Sequence, residues 1–437
     1  MGWGREVSRC DTEKEICVGL PLLDLVLCLA EVADFVSPAV FKHHLRVAYL
    51  AFRLGEVLGL SRESCEVLLF SGLLHDLGAF SLRDRLDALH FEFANPHYHA
   101  FVAYALFKDF EPFSAIANVV RFHHVPWEEG RGRQWQGVAV PLESHILHFA
   151  DRVSIVCSFQ EDPVGEAQER EGFLRDFVPH LFHPEIFEAF RSLLRREYIW
   201  LDLASPHLHR FVGQLVPPGR FCLGARDFLA FSQMVSHLID FRSPFTATHS
   251  AGVAHVAHFL GNCCGFSKTQ NDLFFAAGFL HDLGKLAIPL EILEKPGALT
   301  PKEMNIMKTH AYYTFLALYW IRGLRDVALW AAEHHERCNS RGYPFGRAAE
   351  ELLFESKVMA VADVFTALAE DRPYRRALPP QRIREILADM ALSDALDRGV
   401  VEILLDRFSE VYNTCREAQR KAASVYDVFR KNLASFP

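Results

Sequence analysis

Phe279-Leu280-His281-Asp282-Leu283-Gly284-Lys285 sets a histidine and an aspartate side by side at the end of an apolar helical run. Further on, His334-His335-Glu336 leads into a loop broken by Gly342-Tyr343-Pro344. Imidazole and carboxylate are the donors that divalent first-row metals favour, and one carboxylate has two oxygens with which to join two ions. A lone His-Asp doublet says little, because a single buried histidine is more often a satisfied core residue than a ligand. His249 upstream, His310 between the doublets and Asp363 in Val361-Ala362-Asp363 complete a set of histidines and aspartates sufficient for two metal shells.

Working outward, the stretch proves to have an earlier copy. Asp34-Phe35-Val36-Ser37-Pro38 and His43 recur as Asp240-Phe241-Arg242-Ser243-Pro244 and His249, an offset of 206 (240 − 34) that also carries His75-Asp76-Leu77-Gly78 onto His281-Asp282-Leu283-Gly284. His123-His124 and His334-His335 differ by 211 (334 − 123), as do His99 and His310, whereas Asp151 and Asp363 differ by 212 (363 − 151). A duplicated domain accounts for this register. His97 also stands near the right place, but only His99 keeps the spacing to the following doublet.

Apolar residues fall at helical spacing in Leu22 to Ala33, Leu45 to Leu58, Glu63 to His75 and Ala100 to Phe107 of the first copy. They do so again in Phe228 to Ile239, Gly252 to Gly261, Gln270 to His281, Tyr313 to Ile321 and Leu324 to His335 of the second. Period-two strand patterns are scarce. The expectation is an all-α chain of two tandem helical bundles: an N-terminal segment 1–20, a first domain 21–200, a linker 201–221 stiffened by Pro217-Pro218-Gly219, and a second domain 222–437. Glu161 to Glu171 reads as a solvated loop or helix end, and Val411 to Asn432 as one amphipathic helix packed on its domain.

A chain of 437 residues, half of them hydrophobic, has material for two cores and is not of the disordered class. A net charge of −9 without a basic stripe argues against DNA or RNA as partner. The 10 cysteines show no CxxC pair, which fits a reduced, cytoplasmic setting. Met1 to Lys14 lacks the apolar core of a signal peptide, and Gly19 to Val36 is interrupted by Asp24, Glu31 and Asp34, so no membrane span is expected and a soluble protein is.

The second half resembles the HD-GYP family, the members of the HD phosphohydrolase superfamily that hydrolyse cyclic dinucleotides. The resemblance rests on His281-Asp282-Leu283-Gly284-Lys285, Leu299-Thr300-Pro301-Lys302-Glu303, His334-His335-Glu336-Arg337, Gly342-Tyr343-Pro344, and Val361-Ala362-Asp363 with Asp371-Arg372-Pro373-Tyr374-Arg375. It implies that Asp282 bridges two divalent metals, iron or manganese before zinc, with His249, His281 and Asp363 on one and His310, His334 and His335 on the other. Family members with a third metal hold it through a glutamate four residues before the first histidine. Phe245 stands there, so two ions are expected. A hydroxide held between the metals would attack phosphorus. Lys285, Tyr343, Arg372 and Arg375 would bind the substrate, cyclic di-GMP in preference to cyclic GMP-AMP, leaving pGpG or GMP. The Gly342-Tyr343-Pro344 loop would also be the place where a diguanylate cyclase or another signalling partner docks. Asn339, Ser340 and Ala311 depart from the family's usual Asp-Gly and Pro, which bears on loop geometry and rate and removes no ligand.

The first copy keeps a counterpart of every donor in His43, His75, Asp76, His99, His123, His124 and Asp151. It lacks the lysine (Ala79 replaces Lys285), the glutamate after the doublet (Val125), the Gly-Tyr-Pro loop and the arginine pair. Metal binding there stays open, and cleavage of a cyclic dinucleotide is not expected. Two rivals stand beside the phosphodiesterase reading: a general HD phosphohydrolase, and a catalytically silent scaffold, which would have no need of a full donor set.

Overall fold

The computed structural model describes residues 19–91, 95–244, 246–370 and 376–436. They form two all-α units, one built on Leu23–Phe221 and the other on Cys222–Lys431. In the first, the helices are α1 (Leu22–Asp34), α2 (His43–Val57), α3 (Arg62–Leu74), α4 (Leu82–Ala88), α5 (Pro96–Phe107), α6 (Ser114–Arg121), α7 (Leu142–Val156), α8 (Pro163–Arg175), α9 (Pro184–Leu194), α10 (Glu197–Ala204) and α11 (Leu208–Gln214). The second has α12 (Ala225–Asp240), α13 (His249–Cys263), α14 (Lys268–Leu280), α15 (Leu290–Leu293), α16 (Pro301–Tyr319), α17 (Arg325–Ala332), α18 (Phe354–Ala369), α19 (Pro380–Leu392), α20 (Arg398–Asp406) and α21 (Phe408–Ala434). Strand structure among the described residues is confined to two short antiparallel pairs, Leu20–Pro21 with Cys222–Leu223 and Gln134–Trp135 with Val138–Ala139.

Two expected boundaries shift. Residues 201–221 are not a free linker: they carry the end of α10 and all of α11, bury Leu203, Leu208 and Val212, and belong to the first unit. Apolar side chains recur at helical spacing there too, and burying them outweighs the Pro217-Pro218-Gly219 punctuation that follows. Within Glu161 to Glu171 the chain is helical from Pro163, because Asp162 caps α8 by accepting the Gly165 N–H.

The repeat is visible in how the helices touch. In each unit the helix that begins with the first histidine lies against the helix that ends at the His-Asp doublet: α2 on α3, and α13 on α14. They meet through glycine. A Cβ on Gly72 would fall 2.4 Å from Ala48 Cα, and one on Gly278 2.5 Å from Ala254 Cα. The glycine after each doublet is tighter still. A Cβ on Gly78 would sit 2.1 Å from the His99 carbonyl oxygen, and one on Gly284 1.9 Å from that of His310. The turn carrying His-Asp is thus pressed against the helix carrying the next histidine, and only glycine leaves the room.

Helix ends are set locally. Thr300 and Glu303 form a reciprocal capping box at the start of α16, so the Leu-Thr-Pro-Lys-Glu motif serves to start the helix that presents His310. No helix among the described residues is long and apolar enough to cross a membrane, and the eight described cysteines are unpaired.

Gly284→Ala and Gly78→Ala should each destabilise their own unit by about 1–3 kcal/mol through forced repacking, read as a lowered urea midpoint. Gly172→Ala, where nothing lies within 4 Å of the added Cβ in a helical, exposed position, should instead be neutral or stabilising by up to about 1 kcal/mol.

Candidate metal centres

His281 closes the C-terminal end of α14, where backbone carbonyls have no helical partner. Its Nδ1 lies 2.8 Å from the Gly278 carbonyl oxygen. A carbonyl only accepts, so Nδ1 carries the hydrogen and Nε2 is left with its lone pair. The same i−3 bond orients His310 (to Met307, 2.6 Å) and His334 (to Ala331, 2.6 Å), and in the first unit His75 (to Gly72, 2.9 Å) and His123 (to Val120, 2.6 Å).

These lone pairs converge on Asp282, and its two oxygens divide the work. Oδ2 faces His281 Nε2 at 3.2 Å and His249 Nε2 at 3.8 Å; Oδ1 faces His310 Nε2 at 3.4 Å and His334 Nε2 at 3.8 Å. Asp363 approaches His249 through Oδ1 at 3.4 Å and His335 Nδ1 through Oδ2 at 3.6 Å. The donor atoms of His249, His281 and Asp363 form one compact group, and those of His310, His334 and His335 another. All seven side chains expected from the sequence are therefore together. Lys285 joins them, its ammonium 2.5 Å from Asp282 Oδ2. The His335 side chain is 24% exposed and that of Lys285 13%, against at most 8% for the other donors, so the group meets solvent on that side. Arg372, Arg375 and Phe245 lie outside the described residues.

The electrostatics suit a cation. Burial lowers His310 to about 4 and His334 to about 3, keeping both imidazoles neutral near pH 7. Burial works to raise the Asp282 carboxyl, but His281 and Lys285 hold it well below the usual carboxylate range; Asp363 is held down by His249 and His335 against the same opposition. His281 Nε2 and Asp282 Oδ1 are buried without a hydrogen-bond partner. Two anionic carboxylates beside the neutral imidazoles of His310 and His334, with buried polar atoms left unpartnered, are what a pair of divalent ions would satisfy.

The first unit repeats the division of the aspartate oxygens between two histidine groups. Asp76 Oδ2 lies 3.4 Å from His75 Nε2 and 3.8 Å from His43 Nε2, while Oδ1 lies 3.1 Å from His99 Nε2 and 3.8 Å from His123 Nε2. Asp151 Oδ1 is 3.2 Å from His43 Nε2, and His124 completes the second group. His99, not His97, is the member; His97 packs on Trp135.

Several supporting side chains escaped the sequence reading. The Glu370 carboxylate lies 3.0 Å from His249 Nδ1. Arg242 is buried and donates to the carbonyls of Lys285 (2.6 Å) and Ile288 (2.9 Å), fastening the doublet's turn. Glu336 accepts the backbone N–H groups of Phe345 (2.6 Å), Gly346 (3.0 Å) and Arg347 (3.2 Å), and so anchors the Gly-Tyr-Pro loop. That loop brings the Tyr343 ring to 4.8 Å from His335. In the first unit Arg152 lies against Asp151 Oδ2 and ties the carbonyls of His90 (2.8 Å) and Phe91 (3.0 Å). The available signals were faint: Arg152 directly follows a donor, and Arg242 stands inside the repeated segment where the first copy has Val36.

Two families described as HD domain match the chain, one over residues 40–155 and the other over 233–400. A Vibrio cholerae protein named 3′3′-cGAMP-specific phosphodiesterase 1 is 27% identical over 399 residues, covering 88% of this chain and 91% of that protein. The V. cholerae 3′3′-cGAMP-specific phosphodiesterase 3 is 30% identical over 63% of this chain and 59% of its own length. A Xanthomonas campestris cyclic di-GMP phosphodiesterase response regulator is 38% identical over 39% and 47%. The crystal structure of a V. cholerae cyclic GMP-AMP-specific phosphodiesterase superposes with a TM-score of 0.62 at 20% identity, over 90% of this chain and 98% of that one, a likeness of fold.

Glu370→Ala, which removes the carboxylate behind His249, should weaken metal binding at the second unit about 10- to 100-fold, measured by competition with a chelating dye. Glu336→Ala should speed hydrogen exchange at residues 342–347 and leave the metal content unchanged.

Proposed function

Because the chain is a tandem HD-domain protein of the HD-GYP family, we propose that its second unit hydrolyses a cyclic dinucleotide with two divalent metal ions, iron or manganese before zinc. The observation that carries this is the division of the Asp282 oxygens between two histidine groups. His249, His281 and Asp363 would hold one ion and His310, His334 and His335 the other. When bound, such ions acidify water and stabilise charge on the attacking and departing oxygens of a phosphodiester.

The chain's own groups do the rest. Lys285, held on Asp282 at the exposed side, offers its ammonium to a phosphate oxygen. Tyr343 presents a ring beside His335 on which a base can stack, with Lys308 Nζ 5.4 Å from the ring centre. Arg372 and Arg375 are proposed as further phosphate or guanine contacts. Glu336 keeps the Tyr343 loop in place, and Arg242 keeps the Asp282 turn in place, so neither must be ordered when substrate arrives.

Of the two messengers we now favour cyclic GMP-AMP. The relatives named for it align with 88%, 63% and 40% of this chain, those named for cyclic di-GMP with 23–45%. Cyclic di-GMP, the expectation from the motifs alone, is the comparison substrate. The full donor set speaks against the silent scaffold. Docking of a signalling partner on the Gly-Tyr-Pro loop and a cytoplasmic setting belong to the same proposal. The loop's Phe345 packs with Tyr312 and Phe315, and the unpaired thiols suit a reducing compartment.

Mn²⁺-loaded protein, or Fe²⁺-loaded protein kept anaerobic, should linearise both dinucleotides, cyclic GMP-AMP faster, as followed by chromatography of the products. His281→Ala/Asp282→Ala should abolish turnover, and Lys285→Ala should lower it about 10²-fold or more by removing a charge-stabilising donor. Absence of turnover from protein shown to contain metal would overturn the proposal.

A further inference from the structure

The turn from His281 to Ile288 serves both histidine groups of the second unit, and side chains from other elements fix its two ends. Arg242 holds the far end through the carbonyls of Lys285 and Ile288. Thr314 holds the near end: its hydroxyl donates to the His281 carbonyl at 3.1 Å and accepts the Gly284 N–H at 2.9 Å. A hydroxyl has one hydrogen to give and lone pairs to receive with, so one side chain meets both needs. Thr314, His281 and Gly284 are all buried, so neither backbone group is open to bulk water.

The need for such a side chain arises locally. His281 closes α14, where carbonyls lose their helical partners, and Gly284 lies in the short 3₁₀ turn Leu283–Ala287, whose first N–H groups lack partners in the same way. These two groups flank Asp282. The aspartate itself has φ −98° and ψ 13°, in the sparsely populated bridge region of backbone space. Fastening the peptides on either side of it keeps it there.

Thr314 follows His310 by four residues on α16, so the two side chains share one face, a turn apart. A helical threonine commonly returns its hydroxyl to its own backbone; this one gives it to the end of α14. His281 belongs to one donor group and His310 to the other. Thr314 therefore stands on the helix of one group and is hydrogen-bonded to the backbone of the other. In the first unit, the offset that pairs His99 with His310 puts Ala103 at this place (314 − 211), and alanine has no hydroxyl to offer. That is also the unit with Ala79 where the second has Lys285.

We propose that Thr314 is a positioning residue of the second centre: by fixing the peptides around Asp282 it sets whether the two carboxylate oxygens serve both histidine groups at once. This rests on the two-ion reading of that centre. Thr314 touches neither ion nor substrate. Without its hydroxyl, the buried His281 carbonyl and Gly284 N–H are left unsatisfied, and the turn shifts to find them partners. Asp282 then loses its alignment with one histidine group, and Lys285, carried on the same turn, moves with it.

The test uses the full chain carrying His75→Ala/Asp76→Ala, so that the second unit alone reports, loaded with Mn²⁺ and followed by electron paramagnetic resonance. Two ions joined by Asp282 should give the broad spectrum of a spin-coupled pair. Thr314→Val keeps the branched shape and removes the hydrogen bonds. It should keep its manganese by elemental analysis and its helical circular dichroism, while the coupled spectrum gives way to the hyperfine pattern of separate ions. Its kcat on cyclic GMP-AMP should fall about 10- to 100-fold, with KM little changed. Thr314→Ser, which restores the hydroxyl, should recover both the coupled spectrum and the rate. If valine unfolds the unit, Thr314→Ala against Thr314→Ser decides in the same way. Intact coupling and rate without the hydroxyl, or a serine that restores neither, would overturn the proposal. A parent that binds manganese without a coupled spectrum would overturn it together with the two-ion reading. A parent with the coupled spectrum and no turnover would sink the phosphodiesterase reading alone, and the spectra of the variants would still decide the role of Thr314.

Discussion

A buried carboxylate shared between two groups of imidazoles is the constraint on which each unit depends. Asp282 and Asp76 are both nearly out of water, and an isolated ionised carboxylate in such a place would cost several kcal/mol. Each is tolerated because donors approach both of its oxygens from different helices. The carboxylate can span the two groups only if the turn that carries it is drawn tight against the neighbouring helix. That explains why Gly78 and Gly284 sit against the carbonyls of His99 and His310 with no room for a Cβ. Packing and chemistry are here one requirement: the glycine contact sets where the aspartate stands.

Around this shared centre the two units have rebuilt their supports with different residues. In the first, Arg85 donates to the carbonyls of Ala79 (2.9 Å) and Ala33 (2.6 Å); in the second, Arg242 donates to those of Lys285 and Ile288. Ala79 and Lys285 are counterparts, so the same carbonyl is held by an arginine from a different point in the chain. Asp34 meets His44 Nδ1 in the first unit, while its counterpart Asp240 accepts the N–H and hydroxyl of Ser250, both at 3.0 Å. Burial raises the Asp240 carboxyl to about 7. Second-layer groups can be replaced in this way because what they must preserve is the position of a backbone atom, which many donors can reach.

Much of this was legible in the chain. The helical period, the duplication and the donor residues, with His99 chosen over His97 by its spacing, came from pattern alone, because ligands must be particular residue types at positions the fold keeps fixed. Glu370, Arg152 and Arg242 were not legible. Each acts through a contact with a residue distant in sequence or through a backbone carbonyl, and neither leaves a recurring spacing. Residues 201–221 misled for a related reason: the Pro-Pro-Gly run was prominent, and what ties Leu203, Leu208 and Val212 to the first unit is their burial against it.

The sequence by itself determined the fold class, the twofold repetition and which side chains could ligate, since residue chemistry and periodicity are properties of the chain. Only the tertiary structure decided how the Asp282 and Asp76 oxygens are apportioned, which groups stand behind each imidazole, and that the Thr314 hydroxyl meets the turn of the second His-Asp doublet. Those facts depend on distances between helices far apart in sequence. Such distances are set by packing, where a single Cβ at Gly284 would decide whether a space is open or closed.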